Sequence, residues 1–353
     1  MPADRRFQSL MRPLLSVFYK RETGFQIGSV LDSDKEPGMS SHPLVENDAS
    51  SSYGGDPMPK ASANHISIEY ETFGNPSSPP ILLIVGLGAQ LIYWDEAFCR
   101  QLAEAGLYVI RFDNRDSGLS TKFNQAGVPD MADLIGKLMS RQTVTPPYAI
   151  EDMAADAVGL LDALNIQKAH ICGMSMGGMI AQSLAIHYPQ RLLSLTSIYS
   201  TTGNPHLPQP KPEIMRLLLT PPPQERELFI RFHLDLFRAL TGPRFGFDEK
   251  WVRDTMAKAY DRACYPQGTG RQLAAIMTQS NRKGALQGVK VPTLVIHGDA
   301  DPLVSVEAGK DTANTVPGAE LKIVQGMGHD LPHGEAWNHI AKEIIVHTKK
   351  VRA

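Results

Sequence analysis

The sequence predicts an α/β fold, with a mostly parallel central sheet, helices on both faces and a helical cap inserted over one end. Three observations carry this prediction. Short apolar runs alternate with segments of helical spacing along most of the chain. Residues 81–85 are continuously apolar, as a strand covered on both faces would be. Between about 200 and 288 the alternation stops, and a proline-rich stretch leads into three segments of helical spacing.

In chain order, residues 1–62 read as an N-terminal extension. Residues 29–60 are rich in Ser, Pro, Gly and Asp without sustained periodicity, so a loop-like tail is expected. The alternative is an arm that uses Phe7, Leu10, Phe18 and Tyr19 to pack on a partner subunit or near a pocket mouth. Residues 65–71 alternate as a strand and end at Gly74-Asn75-Pro76. Strands follow at 81–85 and 107–112, with helical spacing over 94–105 between them. Met153, Ala157, Leu160, Leu161 and Leu164 mark an amphipathic helix over 150–164. A strand at 169–172 leads into a helix at 176–187, closed by Pro189, and further strands lie at 192–199, 293–297 and 321–324. The predicted core is 63–199 with 289–353. The cap, 200–288, has helices near 225–240, 249–263 and 269–279.

Composition narrows the function. Among 353 residues, 42% are hydrophobic and 20% charged, which suits a globular chain. Lys plus Arg (35) against Asp plus Glu (37) leaves no positive excess for a nucleic-acid backbone. Cys99, Cys172 and Cys264 are too far apart for a zinc spacing and form no disulfide framework, pointing to a reducing compartment. No window approaches about 18 consecutive apolar residues, so no integral membrane segment is expected. Arg5, Arg6 and Arg12 around Leu10, Met11, Leu14 and Leu15 weakly imitate a signal peptide, but Arg12 and Pro13 interrupt the apolar core. A cytoplasmic location is the expectation.

Gly173-Met174-Ser175-Met176-Gly177-Gly178 lies between a strand and a helix. This is the G-x-S-x-G elbow in its required context, a turn so tight that the serine's neighbours must be small. The plainer reading is a glycine-rich helix start with an exposed serine. A serine hydroxyl needs a base, and the base an orienting acid, in the chain order serine, acid, histidine. Asp301, in Gly298-Asp299-Ala300-Asp301-Pro302-Leu303, and His329, in Gly326-Met327-Gly328-His329-Asp330, both follow strands and fill those roles. Asp299, expected to fix its own turn, and Asp330 compete for the acid. His297, expected to be a core histidine, and His333 compete for the base. None of the eleven histidines forms an H-E-x-x-H pair, so no metal is expected.

An oxyanion hole needs two aimed N–H groups. Met176 follows the nucleophile and supplies one; Leu87, in Gly86-Leu87-Gly88-Ala89-Gln90, supplies the other, with Gly88 next in line. A dinucleotide fingerprint there would need glycine where Leu91 stands, so no cofactor is expected. The charges of Asp113-Asn114-Arg115-Asp116-Ser117-Gly118 are expected to tie loops together.

Together these motifs resemble the α/β-hydrolase superfamily over about 64–346. The finer resemblance is to bacterial hydrolases of the aclacinomycin methylesterase type, through the four motifs around Gly86, Asp113, Ser175 and His329. The resemblance implies carboxylic-ester hydrolysis by Ser175, Asp301 and His329 without a cofactor. Val85 departs from relatives that carry histidine there, with little consequence for a hole built from backbone. The expected partner is a small-molecule ester, short- to medium-chain or aromatic, in a pocket roofed by Met215, Phe229, Phe232, Phe237 and Tyr260. Alternatives are carbon–carbon hydrolysis of a diketone-like substrate, a slow-turnover ligand-binding module, and acyl transfer to an alcohol. Homodimerisation through the extension or the cap is a further expectation.

Overall fold

The computed structural model describes residues 59–331 and 333–351. The arm residues Phe7, Leu10, Phe18 and Tyr19 lie outside that range. Eight strands form one sheet: β1 (Lys60–Ala63), β2 (Ile66–Phe73), β3 (Pro80–Ile84), β4 (Tyr108–Phe112), β5 (Ala169–Met174), β6 (Leu192–Ile198), β7 (Thr293–Gly298) and β8 (Glu320–Val324). Their order is β1-β2-β4-β3-β5-β6-β7-β8. Only β1 and β2 run antiparallel to their neighbours; from β4 to β8 the pairing is parallel. The mostly parallel sheet predicted from the alternation is therefore present. Among the described residues the first strand, β1, is four residues long and lies at Lys60–Ala63, ahead of the strand predicted at 65–71, with Ala61 and Ala63 turned inward. So brief an alternation leaves no readable period.

The apolar run in β3 serves both faces. Ile81 and Leu83 pack with Phe98, Cys99 and Leu102 of α1 (Glu96–Glu104) and with Ile340 and Ile344 of α11 (Glu335–Lys350). Leu82 and Ile84 pack with α3 (Ile150–Ala163) and α4 (Met176–His187) on the other side. Successive side chains point to opposite faces, so a strand sandwiched between helix layers must be apolar at every position. Helix α1 starts later than its spacing implied. Leu91–Tyr93 forms a 3-10 turn, and the Asp95 side chain caps the helix by accepting from Ala97 N–H at 2.7 Å. Asp130 similarly caps α2 (Met131–Met139).

Between β6 and β7 the chain forms α5 (Pro212–Leu219), α6 (Arg226–Leu240), α7 (Glu249–Arg262), α8 (Pro266–Thr278) and α9 (Lys283–Leu286); α10 (Val306–Thr315) follows β7. The proline-rich stretch thus contains a helix. Pro212 stands in its first turn, where a missing N–H costs nothing. Phe229, Ile230, Leu234, Val252 and Met256 make a core of their own between α6 and α7.

Ion pairs fasten this insertion to the sheet. Arg262 at the end of α7 lies 2.7 Å from Asp113, and Arg271 of α8, 1% exposed, holds Asp116 with two guanidinium nitrogens at 2.8 and 2.9 Å. Arg115 pairs with Asp156 of α3 at 2.6 Å. The charges after β4 tie loops and helices together, as their position predicted; removing one partner of such a buried pair is strongly destabilising. Among the described residues no helix is long and apolar enough to cross a membrane.

Candidate active site

Ser175 sits between β5 and α4 with φ 54° and ψ −120°, a backbone conformation that an L residue adopts only when its surroundings enforce it. The surroundings are explicit. Ser175 N–H donates to Ile198 O of β6 at 3.0 Å, and Ser200 Oγ–H donates to Ser175 O at 2.8 Å. A side chain at position 173 would place its Cβ 2.0 Å from Gly177 O, and one at 177 would come within 2.2 Å of Ile84 O. The two glycines flanking the serine are therefore steric necessities.

His329 follows β8. Its N–H donates to Leu240 O at the end of α6, 2.9 Å away, so the insertion helps hold it. Its Nδ1 lies 2.8 Å from Asp301 Oδ2 and its Nε2 lies 2.9 Å from Ser175 Oγ. A carboxylate only accepts, so Nδ1–H donates to Asp301, and Nε2 is left to accept from the serine hydroxyl. Tyr199 lies beside the imidazole, with ring centroids 4.7 Å apart.

Asp301 is held on both oxygens. Oδ1 accepts from Leu303 and Val304 N–H, each at 2.8 Å, while Oδ2 faces His329 and lies 3.5 Å from His297 Nε2. Burial alone would raise its pKa. The charge and hydrogen bond of His329, with the His297 ring alongside, outweigh that and hold the carboxyl well below the usual carboxylate range.

The competitors fall elsewhere. Asp299 Oδ1 accepts from Gly326 N–H at 2.6 Å, so it braces the His329 loop rather than its own turn. Asp330 is buried and faces Thr241 and Gly242; burial pushes it up to about 6. His297 is a core residue whose Nε2–H donates to Val304 O at 2.8 Å. His333 stacks against Trp251, 3.4 Å from Asp248.

The loop after β3 lies against the serine: a Cβ on Gly86 would stand 3.3 Å from Ser175 Cβ. Met176 opens α4, where backbone N–H groups have no helical partner. Gly88 N–H donates to Gln272 Oε1 at 2.8 Å, which leaves Leu87 as the nearer candidate of the two residues weighed for this loop.

Ser175 and His329 open into a cavity of about 960 Å³ with mainly apolar walls. Met215, Phe229, Phe232 and Phe237 line it. Tyr260 does not. It packs edge-on behind Phe229 and donates its hydroxyl to Gln224 O at 2.6 Å, because helical spacing brings residues to one face without saying which of them reach the cavity. Sequence reasoning missed Tyr199, the proximity of His297 to Asp301, and Gln272. Only Gln272 left a signal, as a polar residue beside Leu273, Ala274 and Ala275 in a helix with a buried face.

Comparison with known proteins agrees with this fold. A family described as alpha/beta hydrolase fold matches residues 79–336. A rhodomycin D methylesterase from Streptomyces peucetius is 28% identical, over 81% of this chain and 96% of its own. A 2-hydroxy-6-oxononadienedioate/2-hydroxy-6-oxononatrienedioate hydrolase from Paraburkholderia xenovorans is 30% identical, over 62% of this chain and 75% of its own. Among solved structures, an esterase from a Rhodococcus species superposes with a TM-score of 0.64 at 21% identity, covering 84% of this chain and 99% of that one; it is a likeness of fold.

Proposed function

This chain belongs to the alpha/beta hydrolase family, and from that premise we propose that it is a serine carboxylesterase using Ser175, His329 and Asp301. The observation that carries this reading is the unbroken chain of contacts from Ser175 Oγ through His329 to Asp301, at 2.9 and 2.8 Å. His329 Nε2 takes the hydroxyl proton as Oγ attacks the ester carbonyl. Asp301, already ionised, keeps the imidazole in the tautomer that can accept it and stabilises the imidazolium that results. The N–H groups of Leu87 and Met176 receive the developing oxyanion. The ester C–O bond then breaks, and the alcohol leaves with the proton from His329. Water, activated by the same nitrogen, hydrolyses the acyl-enzyme and regenerates the serine.

The cavity supports a bulky apolar substrate. At about 960 Å³ it lies at the upper end of the range usual for small-molecule sites, and phenylalanines 229, 232 and 237 favour aromatic or medium-chain esters over charged ones. Similarity to a methylesterase favours a large acid moiety with a small leaving alcohol. The test is hydrolysis of p-nitrophenyl esters from acetate to palmitate and of methyl esters of aromatic acids, in wild type and Ser175→Ala. Turnover that disappears in the variant is expected; turnover that survives removes Ser175 as nucleophile. A second reading, carbon–carbon hydrolysis of a diketone-like substrate by the same residues, draws on the similarity to the oxononadienedioate hydrolase. Cleavage of such a diketone with no ester turnover would select it.

A further inference from the structure

The loop that carries Leu87 is gripped from the inserted helices rather than from the sheet alone. Gly88 N–H donates to Gln272 Oε1 at 2.8 Å. Gly88 has φ +67°, and a Cβ there would stand 2.9 Å from Thr269 Oγ1, one turn earlier on α8. Two residues on, Gln90 Nε2 donates to Ala259 O and Ala263 O at the end of α7, at 2.7 and 2.9 Å.

Gln272 is itself immobilised. It is 0% exposed, and its Nε2 donates to Arg115 O at 2.8 Å and Ser117 Oγ at 3.0 Å. The preceding residue, Arg271, anchors the same turn of α8 to Asp116. A glutamine whose two amide donors are both spent can present its oxygen in one orientation only. The bond to Gly88 therefore fixes the peptide plane between Leu87 and Gly88. Gly86, pressed against Ser175, limits the other side of Leu87.

We propose that Gln272 is a positioning residue for the oxyanion loop, so that the acyl-transfer site is complete only when α8 is docked on the core. Gln272 touches no reacting atom; by holding the Leu87–Gly88 peptide it restrains Leu87, whose N–H lies in the preceding peptide against Ser175. This inference rests on the serine esterase reading above.

The test compares Gln272→Met, Gln272→Glu and Ser175→Ala in the full chain, with p-nitrophenyl butyrate as substrate and an aryl trifluoromethyl ketone as the oxyanion-forming inhibitor. Complete loss of an oxyanion donor typically costs about 10²–10³ in turnover, so a misaimed one should cost about 10–100-fold. Gln272→Met is expected to lower kcat by that factor with KM within about twofold, and to weaken the ketone's Ki in parallel, because the interaction is made only with the oxyanion. In Gln272→Glu the neutral acid can donate to Arg115 O while its carbonyl oxygen accepts from Gly88. Activity relative to wild type at the same pH is therefore expected to recover as pH is lowered from 8 to 6. Should Gln272→Met fail to fold, Gln272→Asn, which withdraws the oxygen by one methylene, carries the same expectation. A raised KM with unchanged Ki, or equal losses in the Met and Glu variants at every pH, would mean that α8 only packs, and would overturn the proposal. Loss of turnover in Ser175→Ala with kcat unchanged in Gln272→Met defeats the positioning role alone. Turnover surviving in Ser175→Ala defeats the esterase reading and the inference with it.

Discussion

Strand β5 carries two serine–histidine contacts, one near each end, of nearly equal length. At its start His170 Nδ1 lies 2.8 Å from Ser194 Oγ on the neighbouring β6; at its end Ser175 Oγ lies 2.9 Å from His329 Nε2. Five residues of strand, roughly 17 Å, separate them. Everything else differs. His170 is 2% exposed, burial and the nearby His347 push its pKa down to about 4, and among the described residues no Asp or Glu borders the small cleft beside it. His329 has Asp301 behind it, a helix N-terminus beside its serine and a large cavity in front. On the proposed reading, a serine–histidine distance is by itself no signature of nucleophilic chemistry. The orienting acid, unspent N–H groups and room for a substrate make the difference, and a parallel sheet gathers these where its strands end.

The comparison can be broken most directly at the two serines. Ser175→Ala should lower kcat by about 10⁴–10⁶, whereas Ser194→Ala should leave kcat within about twofold. The second variant should instead lose about 1–2 kcal/mol of stability, because it strands a buried imidazole nitrogen. Turnover and urea denaturation on both variants read the contrast, and comparable losses of activity would erase it. Next in size is Asp301→Asn, expected to cost about 10⁴ in kcat with the fold intact, since the amide favours the wrong imidazole tautomer. Equal activity in that variant would show that the acid is not what separates the two ends.

The cavity is the third difference. Phe232→Ala should raise KM for an aromatic ester about tenfold while kcat changes little, because apolar wall contacts bind substrate and transition state alike. A kcat effect larger than the KM effect would place Phe232 nearer the reacting atoms than its cavity-wall position implies. The buried pair should leave activity unchanged and act on stability alone. The folded-state pKa of His170 is lowered from 6.5 to about 4, so between those values the unfolded chain binds the proton that the folded one refuses. Stability therefore falls as pH drops through that window, by on the order of 2–3 kcal/mol from this group. Asp301 acts lower: its depressed pKa contributes stability above about pH 4 that is lost on further acidification. His170→Gln should flatten the loss between pH 6.5 and 4, measured as urea midpoints; an unchanged slope would assign that loss to other groups.

What the chain determined locally could be read without coordinates. The apolar run of β3, the helical spacing of α1 and the elbow between Gly173 and Gly177 rest on steric or periodic rules that act within a few residues. Even the loop after β4 declared its tying role through its run of charges. The rest was decided by contacts between residues far apart in the chain. Gln272 meets Gly88 across 184 positions, Asp299 meets Gly326 across 27, and Tyr260 turns to Gln224 instead of the cavity. Spacing fixes which face of an element a residue occupies, but not what another element will bring against that face. The tight turn that exposes Ser175 was written in its neighbours; the grip on the loop opposite it depends on where α8 docks.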